Sequence, residues 1–364
     1  MSSDNKNVNF KYLILKHWII DNIKNKNFKY NDKLPSENLM CRKFGVSRQT
    51  VRNAMAQLSE EGIVRKVRGS GMYVNKTTFA PATSKTIGVL ISYLNEYLFE
   101  NVFREIETVL TMEGYEIDLC ISENRVEQER SFLDRMYHSD VAGLIIEGTK
   151  SALPNPNLKY YRQLEKKEVP FLMIHNYYNE LQCPSILMDD VGASKRMTNM
   201  LIEAGHIKIA GIFKGDDLQG HRRYQGYVEA LQEANIPVRE ELIGWFYSNY
   251  DNNILLDISI KSILDTMDYY TAMVVYNDLI ALEVNQSFAQ NGIRVPNDIS
   301  MVSFDDGAQS SQMGIISAVH PKKLLGIEAA MRILKMIREG RDAVELRPYV
   351  IHTEIAMRPS IKIL

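Results

Sequence analysis

The sequence predicts an α/β protein in two parts: a small helix-turn-helix module with a β wing, then two lobes of doubly wound parallel sheet. Three observations carry this reading. Residues 1–78 hold 15 Lys+Arg against 6 Asp+Glu, a net charge of +9, whereas the whole chain of 364 residues carries only −2. Helix, turn, helix and hairpin patterns follow one another within about forty residues of that basic part. From Thr86 onward, apolar strands alternate with amphipathic helices, the pattern of parallel sheets. A small basic module on a larger acidic one points to a polyanion as partner of the first part alone.

In chain order, FKYLILKHWIIDNIKNK (10–26) places Leu13, Trp18 or Ile19, Ile20 and Ile23 at helical spacing. In LPSENLMCRKF (34–44), Ser36 after Pro35 is a natural N-cap, Gly45-Val46 breaks the helix, and Ser47 caps the next. On that third helix Val51, Ala54, Met55 and Leu58 form one stripe, and Arg48, Gln49, Arg52 and Asn53 point away from it. Such a helix can enter a major groove, where Arg suits guanine and Gln suits adenine. IVRKVRGSGMYVN (63–75) reads as two short strands about Gly69-Ser70-Gly71, with Arg65, Lys66 and Arg68 crowding the hairpin. TTFAPATSK (77–85) is small, polar and Pro-containing, as a linker is.

The clearest strand candidates beyond it are TIGVLISY, YEIDLCIS, VAGLIIEGT, VPFLMIHN, HIKIAGIFK, AMVVYND and ISMVSFDD. Residues 86–364 exceed what one such sheet needs, which predicts two lobes. Ligands of parallel sheets bind at the carboxyl ends of the strands. Here those ends carry Tyr93, Glu147, His175 with Asn176, Lys214, Asn277 with Asp278, and Asp305 with Asp306. Carboxylates, amides and Arg bridge neighbouring hydroxyls, and Tyr93, Tyr177 or Phe213 offers a face for a sugar ring. In GHRRYQGY (220–227), Arg223 shares a helix face with Gly226, Tyr227 and Ala230. It is read either as a charge held for a ligand or as a structural partner of Asp216 or Asp217.

Several classes are disfavoured. No apolar run is long enough for a membrane span, and the polar first ten residues lack the apolar core of a signal peptide, so a cytoplasmic protein is expected. Cys41, Cys120 and Cys183 lack metal or disulfide spacing and read as small buried apolar residues. An enzyme on a doubly wound fold would need a phosphate loop or dinucleotide fingerprint, and neither occurs, nor does GxSxG or HExxH. Neighbouring carboxylates at a strand end point to opposite sides, so Asp305-Asp306 and Asp189-Asp190 do not form shared dyads. No metal and no cofactor are expected.

Two resemblances add to this. LPSENLMCRKFGVSRQTVRNAMAQLSEEGIVRKVRGSGMYV resembles the winged-helix domain of the GntR family. The resemblance implies DNA contacts from Ser47, Arg48, Gln49, Thr50 and Arg52, and from Arg68, Gly69 and Gly71 at the wing. Asn38 departs from it, standing where many members have Arg. DDVGASKRMTNMLIEAGHIKIAGIF, RRYQGYVEAL, VVYNDLIAL and VPNDISMVSFDD are similar to the sugar-responsive domain of the LacI/GalR family, itself like periplasmic sugar-binding proteins. That likeness implies ligand contacts at Arg223, Asn277 and Asp305. His175 stands where many relatives have Asp, and His320 where a lactose-type repressor has Gln. The division implied is a GntR-type domain at 1–76, a linker at 77–85 and an effector-binding and dimerisation domain at 86–364.

This hybrid, with GIFKGDDLQGHRR, resembles the arabinose-operon repressors of Gram-positive bacteria. The resemblance implies a homodimer on a palindromic double-stranded operator, released by L-arabinose. Another sugar, or a sugar phosphate held by Arg223 and Lys214, stays open as the effector.

Overall fold

The computed structural model describes residues 15, 16, 18–20, 22, 23, 27–60, 62–67, 69–75, 84–93, 97–248 and 254–364, without the side chains of 97–99. Its contacts divide the chain into two compact units, Met1–Thr83 with Thr111–Gly114, and Ser84–Leu110 with Tyr115–Leu364. Arg68 and residues 77–83 of the expected linker lie outside the described residues.

In the first unit, the helical residues between 15 and 23 bury Leu15, Ile19, Ile20 and Ile23. Trp18 meets the edges of Phe28 and Phe44, and Lys43 Nζ lies 3.9 Å from its ring centroid. The helix Glu37–Phe44 begins where Ser36 Oγ accepts from Leu39 N, and ends at Gly45, whose φ of 61° is the left-handed conformation glycine adopts freely. The helix Arg48–Glu60 buries Val51, Ala54, Met55 and Leu58, the stripe the spacing predicts. Strands β1 (Val64–Val67) and β2 (Gly71–Val74) pair antiparallel, Val67 opposite Gly71, and form the wing.

The second unit holds the other strands: β3 (Thr86–Ile91), β4 (Glu116–Ile121), β5 (Gly143–Ile146), β6 (Phe171–Ile174), β7 (Ser185–Met188), β8 (Ile209–Lys214), β9 (Ile243–Phe246), β10 (Ala272–Val275), β11 (Ser300–Asp305), β12 (Ile316–Val319), β13 (Tyr349–Ile351) and β14 (Ile355–Ala356). They form two six-stranded sheets, ordered β13-β7-β6-β5-β3-β4 and β14-β12-β11-β10-β8-β9. Every pairing is parallel except that of β14 with β12. Each sheet is the centre of one lobe, with strands of two to six residues, most of them buried, covered by helices on both faces.

In both sheets the chain turns first to one side and then crosses to the other. The crossing leaves a crevice between β3 and β5 in the first lobe, and between β8 and β10 in the second. The chain passes between lobes three times: at Asp189 after β7, at His320-Pro321 after β12, and at 352–354 between β13 and β14. All seven strands read from the sequence are present. The five not read (β7, β9, β12, β13 and β14) have two to four residues each. Of the cysteines only Cys183 is buried; Cys41 and Cys120 are half-buried, a correction to the reading of all three as core residues.

Candidate functional site

The helix Arg48–Glu60 presents Ser47, Arg48, Gln49, Arg52 and Asn53 as exposed residues on one surface. Gln49 Nε2 donates to Asn53 Oδ1 at 3.0 Å, which aligns the two amides along the helix. Arg52 Nε lies 3.2 Å from Glu37 Oε2 of the preceding helix, an exposed pair that orients the guanidinium at little energetic cost. Thr50 differs from its neighbours: it is buried, and its hydroxyl meets Ser47 Oγ at 2.8 Å. Ser47 Oγ also accepts from Thr50 N, so the pair closes the helix start and the Thr50 side chain faces inward. In the wing Gly69 and Gly71 are exposed with φ of 76° and 128°. Lys66 is exposed as well, whereas Arg65 is engaged by Asn31 and lies over the Tyr73 ring.

The second constellation lies at the strand ends of the second unit, centred on Arg223. This guanidinium is 1% exposed. Its Nε is 2.8 Å from Asp190 Oδ1, its Nη1 donates to Tyr276 O at 2.5 Å, and its Nη2 is 3.1 Å from Asp305 Oδ1. The Phe304 and Tyr276 rings flank it. Burial works against its charge, but the carboxylates of Asp305 and Asp190 outweigh that and raise its pKa further. Its partners are therefore neither Asp216 nor Asp217: Asp216 accepts from Ser248 N, and Asp217 from the Tyr276 hydroxyl.

The sequence names Asp190 only as half of the Asp189-Asp190 pair, not as a partner of Arg223. It reaches Arg223 because the helices Asp190–Glu203 and Leu218–Glu233 pack closely at Gly226. A Cβ there would stand 2.1 Å from Val191 O, so only glycine permits this approach. Asp190 Oδ2 is buried with no hydrogen-bond partner among the described residues, a spare acceptor beside the Arg. Asp189 next to it points elsewhere, capping Gly192 N and meeting His352 Nδ1, as strand-end alternation predicts. Asp305 and Asp306 separate likewise, Asp306 pairing with Arg358 at 2.6 Å.

In the first lobe Glu147 sits at the crevice between β3 and β5. Its Oε2 accepts from Ser92 N at 2.7 Å, and its Oε1 is 3.3 Å from His175 Nδ1. His175 is fully buried with φ of 63°, and its ring lies 5.1 Å from that of His320 on the inter-lobe crossing. Both ring nitrogens of His320 lack a hydrogen-bond partner among the described residues. Burial, then the nearby His175, Lys322 and Arg223, hold its pKa well below the ordinary value of 6.5. A neutral imidazole so placed offers one donor and one acceptor.

Because the folded state resists the proton that the unfolded chain takes up below about pH 6.5, His320 destabilises the fold as pH falls. The loss is at most about 1.4 kcal/mol per pH unit, ending at the folded-state pKa. Urea unfolding at pH 7.5 and 5.5 tests this: His320→Gln should lose less stability than the wild type across that interval. Equal losses would count against a buried neutral His320.

The remaining candidates divide. Lys214 Nζ lies 5.9 Å from the Tyr93 ring across the crevice and 3.8 Å from Asp217 Oδ2, which brings Tyr93 and Lys214 together. Tyr177 is half-buried beside Arg222. The other amides serve the backbone. Asn176 exchanges two hydrogen bonds of 2.9 Å with Gly148, and Asn277 Oδ1 caps the next helix at Ile280 N, 3.0 Å. Phe213 offers no ring to a ligand, being buried among Tyr224, Tyr227 and Trp245. Hydrogen bonds that join the lobes include Ala152 N to Asp216 O (3.3 Å), Leu218 N to Ser151 Oγ (3.0 Å), Asn124 Nδ2 to Ser248 Oγ (2.7 Å) and Lys322 Nζ to Asp306 O (3.5 Å).

Among the described residues no group of three or more His, Cys, Asp or Glu is arranged to hold a metal ion, and no helix is long and apolar enough to cross a membrane.

Comparison with known proteins bears on both constellations. Residues 11–74 match the bacterial regulatory proteins of the gntR family, and residues 198–361 match the periplasmic binding protein-like domain. The chain is 35% identical over 356 residues to an arabinose metabolism transcriptional repressor of Geobacillus stearothermophilus, spanning 97% of this chain and 98% of that one. A repressor of the same description from Halalkalibacterium halodurans is 35% identical over 316 residues, 85% of this chain and 84% of the other. Among solved structures, the complex of the transcriptional regulator CelR with cellobiose shares the fold, with a TM-score of 0.66 at 24% identity over 86% of this chain and 91% of that one.

Proposed function

The chain belongs to the arabinose metabolism transcriptional repressors, and on that premise we propose that L-arabinose is the effector that releases it from DNA. It is a sugar-responsive transcriptional repressor and not an enzyme. In our reading it acts in the cytoplasm as a homodimer on a palindromic operator, because a twofold protein and a twofold site match each other's geometry. Ser47, Arg48, Gln49 and Arg52 approach bases and phosphates in the major groove, and Gly69 and Gly71 let the wing backbone come close to the duplex. The sugar lies between the lobes against Arg223, Asp305, Glu147, His175 and His320, with Tyr93 and Lys214 at its edge.

The observation that carries this reading is the buried Arg223 held between Asp190 and Asp305. Three nearly buried carboxylates (Glu147, Asp190 and Asp305) surround the crevice, and Lys214 is already paired with Asp217. A dianionic phosphate would meet like charge there, whereas neutral hydroxyls find acceptors in the carboxylates and donors in Arg223. The acidic lining therefore favours a neutral sugar over a sugar phosphate. Sugar must bind the two conformations unequally to change DNA affinity, and closure of the lobes on it supplies the difference.

The test is anisotropy of a labelled duplex from the promoter beside the protein's own gene, titrated with and without millimolar L-arabinose. Release by arabinose, and not by xylose or glucose, is expected. Tight binding that arabinose leaves unchanged would reject arabinose as the effector.

A further inference from the structure

The ND and DD motifs each contain a carboxylate that the sugar site does not use, Asp278 and Asp306. Asp306 pairs with Arg358, but Asp278 faces inward, 3% exposed, at the start of the helix Asp278–Gln290. Its Oδ1 accepts from Ser303 Oγ and, at 2.9 Å, from Ser317 Oγ; its Oδ2 accepts from Gly307 N at 2.6 Å. Ser303 and Ser317 are register neighbours on β11 and β12, both fully buried. Ser317 Oγ in turn accepts from Asp306 N at 3.0 Å. The first two backbone amides after Asp305 are thus both tied, directly or through one hydroxyl, to a single carboxylate.

The turn so held is strained. Asp305 and Asp306 have φ of 93° and 46°, a region that residues with a side chain adopt at a cost of about 1–3 kcal/mol unless the surroundings over-determine it. This backbone turn aims Asp305 Oδ1 at Arg223 Nη2.

We infer that Asp278, acting with Ser317, is a positioning residue of the effector site: it clamps the Asp305–Gly307 turn so that the Asp305 carboxylate stays on Arg223. The first lobe contains a parallel device, since Asn176 clamps Gly148 beside Glu147 and follows His175, also at positive φ. The inference rests on the sugar-site reading above.

The Asp278→Asn change keeps the size of the group but replaces an acceptor by a donor amid three donors. Calorimetric titration of the full chain with L-arabinose should show about a 10–100-fold weaker Kd for this variant, the effect of leaving a buried donor unpaired. Ser317→Ala, which removes the hydroxyl bridging Asp278 and Asp306 N but leaves the Gly307 N contact, should weaken it by roughly 3–10-fold. On an Asp305→Ala background the Asp278→Asn change should add less than about twofold, because the clamp then has nothing to aim. Hydrogen exchange of the ligand-free protein, read on a peptide containing Asp306 and Gly307, should be about tenfold faster in Asp278→Asn.

A wild-type Kd in Asp278→Asn, or a full additional loss on the Asp305→Ala background, overturns the inference. If Asp278→Asn does not fold, Ser317→Ala decides, and wild-type affinity with unchanged exchange rejects the clamp. Failure of the unaltered chain to bind arabinose would count against the function reading alone, and the ligand-free exchange experiment would still decide for or against the clamped turn.

Discussion

Arg223→Met should leave a repressor that binds its operator and is no longer released by L-arabinose. In the proposed site the guanidinium has two roles. It would donate to ligand hydroxyls as a charged group, a contact worth about 1.5–3 kcal/mol, and it pairs with the carboxylates of Asp190 and Asp305. Removing one member of a buried ion pair leaves an uncompensated charge and costs about 3–5 kcal/mol of stability. The loss is concentrated at Asp190, which is buried, while Asp305 retains some solvent contact. The double variant Arg223→Met/Asp190→Asn removes that stranded charge, so it should recover part of the lost stability and none of the sugar response. Urea unfolding and duplex anisotropy measured on the same two variants separate the effects. Normal release of DNA by arabinose in Arg223→Met would remove Arg223 from the effector site.

The second large effect is expected at the other end of the chain. Arg48→Ala should weaken operator binding by about 10–100-fold, the range set by about 1–3 kcal/mol for a bidentate base contact. Arg52→Ala should act similarly, with a phosphate contact appearing as a salt dependence shallower by about one counterion per site. Calorimetric arabinose affinity is expected to stay at the wild-type value in both, since the two constellations belong to separate compact units. Loss of sugar binding together with DNA binding would mean misfolding, and unchanged operator affinity would exclude this helix face from the DNA contact.

Much of this organisation was legible in the sequence where the determining interactions are local. Caps at Ser36 and Ser47, the turn at Gly45 and the stripe Val51-Ala54-Met55-Leu58 depend on residues within four positions of each other, and all form as read. Arg223 stood out because an inward Arg one helical turn before a glycine is unusual. Its partners did not, because the 33-residue separation from Asp190 is closed only by the packing of two helices at Gly226. Thr50 shows the limit at a single residue: its neighbours Gln49 and Arg52 are exposed, yet its own hydroxyl turns inward to Ser47. Asn176, Asn277 and Phe213 carry the same lesson. A polar or aromatic residue at a strand end is a candidate until backbone amides or core rings claim it, and those claims are tertiary.

The hydrogen bonds between the lobes, and the near-zero exposure of Arg223, His175 and His320, have a kinetic consequence. A sugar held at the proposed site would leave only when the links between the lobes open, those of Ser151, Asn124, Ala152 and Lys322 among them, so its escape would be gated by the protein rather than by its own affinity. Repression would then return with a delay after the sugar is withdrawn, set by the residence time of a trapped molecule. The length of that delay, rather than the affinity, would decide whether a brief interruption in sugar supply is ignored.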